Sequence, residues 1–192
     1  MPNQRRFPPR RRPQIRRPGQ PGRIHPALRR LRRAHALMQM QEYAEAGRLF
    51  EQIAKGAEQR GIPRAALLFL RAGDAQLRDG QTDKGMSLIM YALKSLERQA
   101  RWRQWTALSR DSMHTLQDLG LDQEYAALAA YVQKTEIERG PLPEQPMASR
   151  PEARLPGKCP HCGGHVHPDQ VEWINEIQAI CDYCGSVIQG DA

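Results

Sequence analysis

Four cysteines constrain this chain more than any other feature. They fall as Cys159-Pro160-His161-Cys162 and Cys181-Asp182-Tyr183-Cys184, each followed by Gly, with 18 residues between the pairs and no other cysteine among the 192 residues. Two residues between thiols let one tight turn aim both sulfurs at one point, and the glycine after each pair relaxes the backbone there. Two such turns supply the four ligands of a tetrahedral, closed site, which makes the site structural. The expected ligands are Cys159, Cys162, Cys181 and Cys184, holding one structural zinc ion. Four sulfurs also suit iron, and the spacing does not separate the two metals. His161, His165 and His167 are near in sequence, but four thiolates already complete the tetrahedron and leave them as spectators. A redox Cys-x-x-Cys would need a βαβ context, which is missing.

The residues from Lys158 onward are too few to bury a core unaided, the situation in which a metal becomes necessary for folding. Their signals are those of short strands: Val166, then Val171, Trp173 and Ile174, then Ile177, Ala179 and Ile180, then Ser186 to Ile188, separated by turn-like Pro168-Asp169 and Asn175-Glu176. Two Cys-x-x-Cys-Gly turns joined by short strands resemble the zinc-ribbon family, and the resemblance implies the same four cysteine ligands. Residues 158–192 hold one Lys against Asp169, Glu172, Glu176, Asp182 and Asp191. Four thiolates on zinc add two further negative charges, so phosphate is repelled and a protein surface is the expected partner of this module. Trp173 is read as its small core, with a partner contact as the alternative.

Charge divides the chain. Residues 1–41 carry 12 Arg and no acid, while the remainder holds 17 basic and 21 acidic groups, a net of −4 beneath the overall +8. Residues 1–25 are an arginine- and proline-rich arm with little to bury, expected to be disordered. Arg5, Arg6, Arg10, Arg11, Arg12, Arg16 and Arg17 are its candidate phosphate contacts, toward nucleic acid or the ribosome. Phe7 alone could stack on a base, so sequence-specific reading is not expected. The same charges would also suit an anionic membrane surface, or serve only as a solvated tail. Seven prolines within the first 26 residues oppose the amphipathic helix of a transit peptide. No apolar run approaches a membrane span, and paired free thiols suit a reducing compartment, so a cytoplasmic location is expected.

From residue 26 to 138 proline is absent except at Pro26 and Pro63, and the apolar residues recur at helical spacing. Six helices are expected. Their stripes run through Leu28, Leu31, Ala34 or His35, and Met38; Ala46, Phe50 and Ala54; Ala66, Phe69 and Leu77; Ile89, Leu93 and Leu96; Trp102, Trp105 and Leu108; and Tyr125, Leu128 and Val132. Pro63 suits the first turn of the third helix, Thr82 or Asp83 can cap the fourth, and Asp122 the sixth. Gly61, Gly80 and Gly120 are expected stops. Residues 139–157 hold five prolines and form a spacer that either uncouples the C-terminal module or straps it along the helices.

The run from Gln41 to Phe50 aligns with Gly80 to Ile89 at an offset of 39, and Gly120 to Leu128 falls about 40 further on. This recurrence resembles the tetratricopeptide-repeat family, with a period of about 39 in place of about 34 and without the closing prolines. By that resemblance Gly73 and Gly80 fall where the family's first helix packs and ends, Ala46 and Gly85 match its small second-helix position, Phe50 its aromatic, and Ala54 and Ala92 the alanine that follows. The resemblance implies an array of three helical hairpins and a protein-binding scaffold. The carboxylate-clamp residues of that family do not carry over, since Asn is absent from the helices.

The expected fold class is therefore mainly α: a hairpin array over 26–138, a small C-terminal β zinc ribbon over 158–192, and a disordered arm. Trp102 and Trp105, among Arg101 and Arg103, are read as core, with an exposed aromatic-basic partner contact as the alternative, and His114 as a surface residue. No nucleophile-base pair, phosphate loop or open metal site appears, so an enzyme is not expected. The expected function is a non-enzymatic adaptor for protein partners. The alternative is a nucleic-acid- or ribosome-associated protein that uses the arm.

Overall fold

The computed structural model describes residues 26–141, 153–168 and 171–191. The arm, with Arg5, Arg6, Arg10, Arg11, Arg12, Arg16 and Arg17, lies outside the described residues, as do residues 142–152 of the spacer. The described part is mainly helical. Its helices are α1 (Pro26–Gln39), α2 (Tyr43–Glu58), α3 (Ala65–Arg78), α4 (Thr82–Arg98), α5 (Trp102–Asp118) and α6 (Asp122–Arg139).

Five successive helix ends use one device. Gln41, Gly61, Gly80, Ala100 and Gly120 take a left-handed conformation, with φ from 53° to 78°. The next amide bonds back five residues: Glu42 to Leu37, Ile62 to Ala57, Gln81 to Gln76, Arg101 to Leu96 and Leu121 to Leu116. This is the Schellman closure, which satisfies carbonyls at a helix end. It also corrects the expected caps. Gln81 and Leu121, not Thr82 or Asp83 and not Asp122, are the N-cap residues, and neither makes a side-chain cap. Gln81 closes α3 through its N–H and accepts the Gly85 amide at 2.9 Å through its carbonyl. One residue thus serves both helices, which leaves no separate capping position. Pro63 lies in the turn before α3, whose N-cap is Arg64.

Each helix packs on the next in sequence, and α3 also packs on α5. The centre is α3, with eleven of its fourteen residues buried, from Ala65 and Ala66 to Leu77. Its buried positions are apolar except for Asp74 and Gln76, which suits a helix inside a bundle. It approaches α4 closely. A Cβ on Gly73 would stand 2.9 Å from the Gly85 carbonyl oxygen, and one on Gly85 would stand 3.0 Å from that of Gly73.

Beyond the spacer, β1 (Glu172–Trp173), β2 (Gln178–Ile180) and β3 (Val187–Gln189) form an antiparallel sheet in the order β1-β2-β3. Ala179 pairs with both Trp173 and Ile188, and Ala179 and Ile188 are fully buried. One apolar cluster runs from Phe50, Leu70 and Leu93 in the helices through to Cys159, Cys162, Val166, Tyr183 and Ile188. The module is thus packed against the helices.

Candidate metal centre

The two cysteine turns have the same backbone. Gly163 donates its amide to Cys159 and Gly185 to Cys181, each at 2.8 Å, while Cys159 and Cys181 donate to Gly164 and Ser186. Gly163 has φ 77° and Gly185 φ 74°, a conformation that side chains resist. The glycines after the cysteine pairs are thus needed to bend each loop into a knuckle.

The knuckles bring Cys159, Cys162, Cys181 and Cys184 together, with all four sulfurs within 4.8 Å of one another. Cys159 lies 3.8 Å from Cys184, and Cys162 lies 3.8 Å from Cys181. A tetrahedron with metal–sulfur bonds of about 2.3 Å has edges of about 3.8 Å, so the set fits a single four-sulfur ion. These distances are far beyond a disulfide, and all four cysteines are free. Cys159, Cys162 and Cys181 are buried. Of the described residues, these four form the cluster able to hold a metal. His161, His165 and His167 are exposed and stand outside it.

Proton chemistry in the cluster is uneven. Cys184 is held far below the usual thiol range because the Cys162 and Cys181 thiols hydrogen-bond to it. Cys162 is pushed up by its bonds to Cys181 and Cys184 and by burial. Cys181 is lowered by its bond with Cys162, but its bond with Cys184 and burial outweigh this and push it up to about 12. An arriving divalent ion would displace protons from Cys162 and Cys181, so its uptake weakens as pH falls. With four thiolates bound, no coordination position remains open for a substrate.

The knuckles are also the module's contact with the helices. Arg32 of α1 donates to the carbonyl of His161 and, at 2.7 Å, to that of Pro160. Arg71 of α3 donates to the Tyr183 hydroxyl, and its guanidinium lies 5.3 Å from the centre of that ring. The Tyr183 ring meets His35 edge-on at 4.8 Å, and His35 meets Phe50 edge-on at 5.1 Å. Gly164 makes this approach possible, since a Cβ there would stand 2.6 Å from Tyr183 and 2.9 Å from His35 Nε2. Burial, aided by the Arg71 charge, lowers the His35 pKa to about 4, so the ring is neutral near neutral pH. Cavities of about 280 and 310 Å³ flank Tyr183, one toward Arg103 and Leu108 of α5, the other toward Met38, Tyr43 and Arg78.

The tryptophans separate. Trp105 is fully buried against Trp102 and Tyr131 and has no surface to offer a partner. Trp102 is half-buried beneath the Arg139 guanidinium. Trp173 is half-buried and donates to the Pro168 carbonyl at 3.0 Å. His114 is exposed and pairs with Asp118 at 3.0 Å. His35, Arg71 and Tyr183 were not singled out as site residues by sequence reasoning. The usable signal is Arg71, a charge flanked by the apolar run from Ala65 to Leu70 and by Ala72 and Gly73. No helix among the described residues is long and apolar enough to cross a membrane. No family model matches this chain, and no curated protein or solved structure matches it.

Proposed function

We propose that this chain is a non-enzymatic protein-interaction adaptor: tetratricopeptide-like helical hairpins carrying a zinc-ribbon module whose ion is structural. The observation that carries this reading is the closed set of four sulfurs, all within 4.8 Å and with 3.8 Å edges, which commits the metal to holding shape. The recurrence of helix stops at 41, 61, 80, 100 and 120 supports a two-helix repeat of the offset seen in the sequence. The test is capture from native lysate at moderate salt, with and without nuclease, using the full chain and a chain lacking residues 1–25. Protein partners retained by both forms, indifferent to nuclease, are the expected result. Capture lost with the arm or with nuclease would overturn it.

A second reading, attachment to nucleic acid or the ribosome, is favoured by one observation. The arm's arginines continue onto α1, where Arg29, Arg30 and Arg33 are exposed. Phosphate binding through them would fall steeply with salt, whereas an apolar protein contact would not.

A further inference from the structure

The odd-numbered helices share a face that is already occupied. On the helix side stand Arg32 and His35 of α1, Arg64 just before α3, Arg71 of α3, and Arg103 with Leu108 of α5. On the module side the docking groups come from the two knuckles: the Pro160 and His161 carbonyls, Gly164, Tyr183 and Gly185. A Cβ at Gly185 would collide with the Arg64 guanidinium. Every one of these module groups takes its position from a turn whose shape depends on four sulfurs meeting one ion. The helix side takes its shape from each helix packing on the next, α1 through α6, in contacts that do not involve the cysteines.

Charge points the same way. A divalent ion with four thiolates carries a net charge of −2. Arg32, Arg64 and Arg71 face it from the helices. One apolar cluster crosses the contact, and the knuckle groups themselves are held there by hydrogen bonds and one aromatic anchor between two cavities. Such an interface within a chain resembles a transient one.

We infer that the face formed by α1, α3 and α5 is a docking surface for a tyrosine-bearing, negatively charged knuckle, and that its occupant is the chain's own module only while that module holds metal. Loss of the ion frees the face. This rests on the metal reading proposed above and extends it from structure to gating. A partner using this face would then compete with Tyr183 and would bind the metal-depleted chain in preference.

His35 reports on the contact, being 7% exposed under Tyr183, whereas His114 is in the open. The experiment is labelling of the full chain with diethylpyrocarbonate, quantified at each histidine by mass spectrometry, with metal content measured alongside. Chelation should raise modification at His35 at least tenfold and leave His114 and the helical circular dichroism unchanged. A second arm uses Tyr183→Ala with its metal retained, where His35 should become reactive without chelation. His35 remaining protected after the metal is gone would overturn the inference, as would helices that melt on chelation, or protection that survives in metal-loaded Tyr183→Ala. A chain that binds no metal at all would instead defeat the reading on which the inference rests, and the metal measurement separates the two failures.

Discussion

Arg71 holds Tyr183 twice, donating to its hydroxyl and lying 5.3 Å from its ring centre, so a half-buried residue of the central helix grips the second cysteine knuckle. Tyr183 is itself only 7% exposed. Replacing it with Phe keeps the ring and strands the guanidinium without its acceptor. A buried donor left unpaired costs about 1–3 kcal/mol. Urea unfolding of Tyr183→Phe at saturating zinc should show a loss of that size with metal content unchanged. A loss near zero would mean that water replaces the hydroxyl.

His35 gives the fold a pH dependence of known sign. Its pKa is lowered to about 4 by burial and by Arg71 of α3. Tyr183, His165 and Cys184 face it from the module, and Phe50 from α2. An unfolded chain takes up the proton near the ordinary value of 6.5, the folded chain only near 4. The stability that His35 contributes is therefore whole above about 6.5 and declines as pH falls toward 4, by something on the order of 3 kcal/mol. The difference in unfolding free energy between the native chain and His35→Leu should shrink across that window. Thiolate protonation is common to both chains and drops out of the comparison.

Two helix stops use residues poorly suited to them. Gln41 has φ 61° and Ala100 φ 53°, and both are exposed. A side chain in the left-handed region costs about 1 kcal/mol relative to glycine. Gln41→Gly and Ala100→Gly should each raise stability by about 0.5–1 kcal/mol, read as a higher melting temperature.

Gly73 and Gly85 should behave in the opposite way. Alanine is the better helix former by about 1 kcal/mol. Here its methyl group would press on a carbonyl oxygen of the facing helix at 2.9 or 3.0 Å, and backbone cannot swing aside as a side chain can. Overpacking of this kind costs about 1–3 kcal/mol or more. Gly73→Ala should therefore lower the melting temperature despite its propensity.

The contrast among these glycines shows what was legible in the sequence. The stops at Gly61, Gly80 and Gly120 could be read directly, because glycine after an apolar stripe is a chemical signal. Those at Gln41 and Ala100 could not, because tertiary packing forces the conformation on residues that do not prefer it. The four cysteines could be read from spacing, which encodes a local turn. The docking of the module could not, because it depends on which helix faces meet residues far along the chain. His35 sat within an apolar stripe, and Tyr183 was hidden between two ligands. The caps lie one or two residues earlier than expected because the Schellman closure of one helix and the start of the next share a residue.

X-ray absorption at the metal edge of the full chain, purified without added metal and read together with metal stoichiometry, decides whether the centre is a closed four-cysteine site. One zinc per chain and a single shell of four sulfurs at about 2.3 Å are expected. A shell containing nitrogen or oxygen, or less than one metal per two chains after reduction, would contradict the closed four-cysteine centre from which the rest follows.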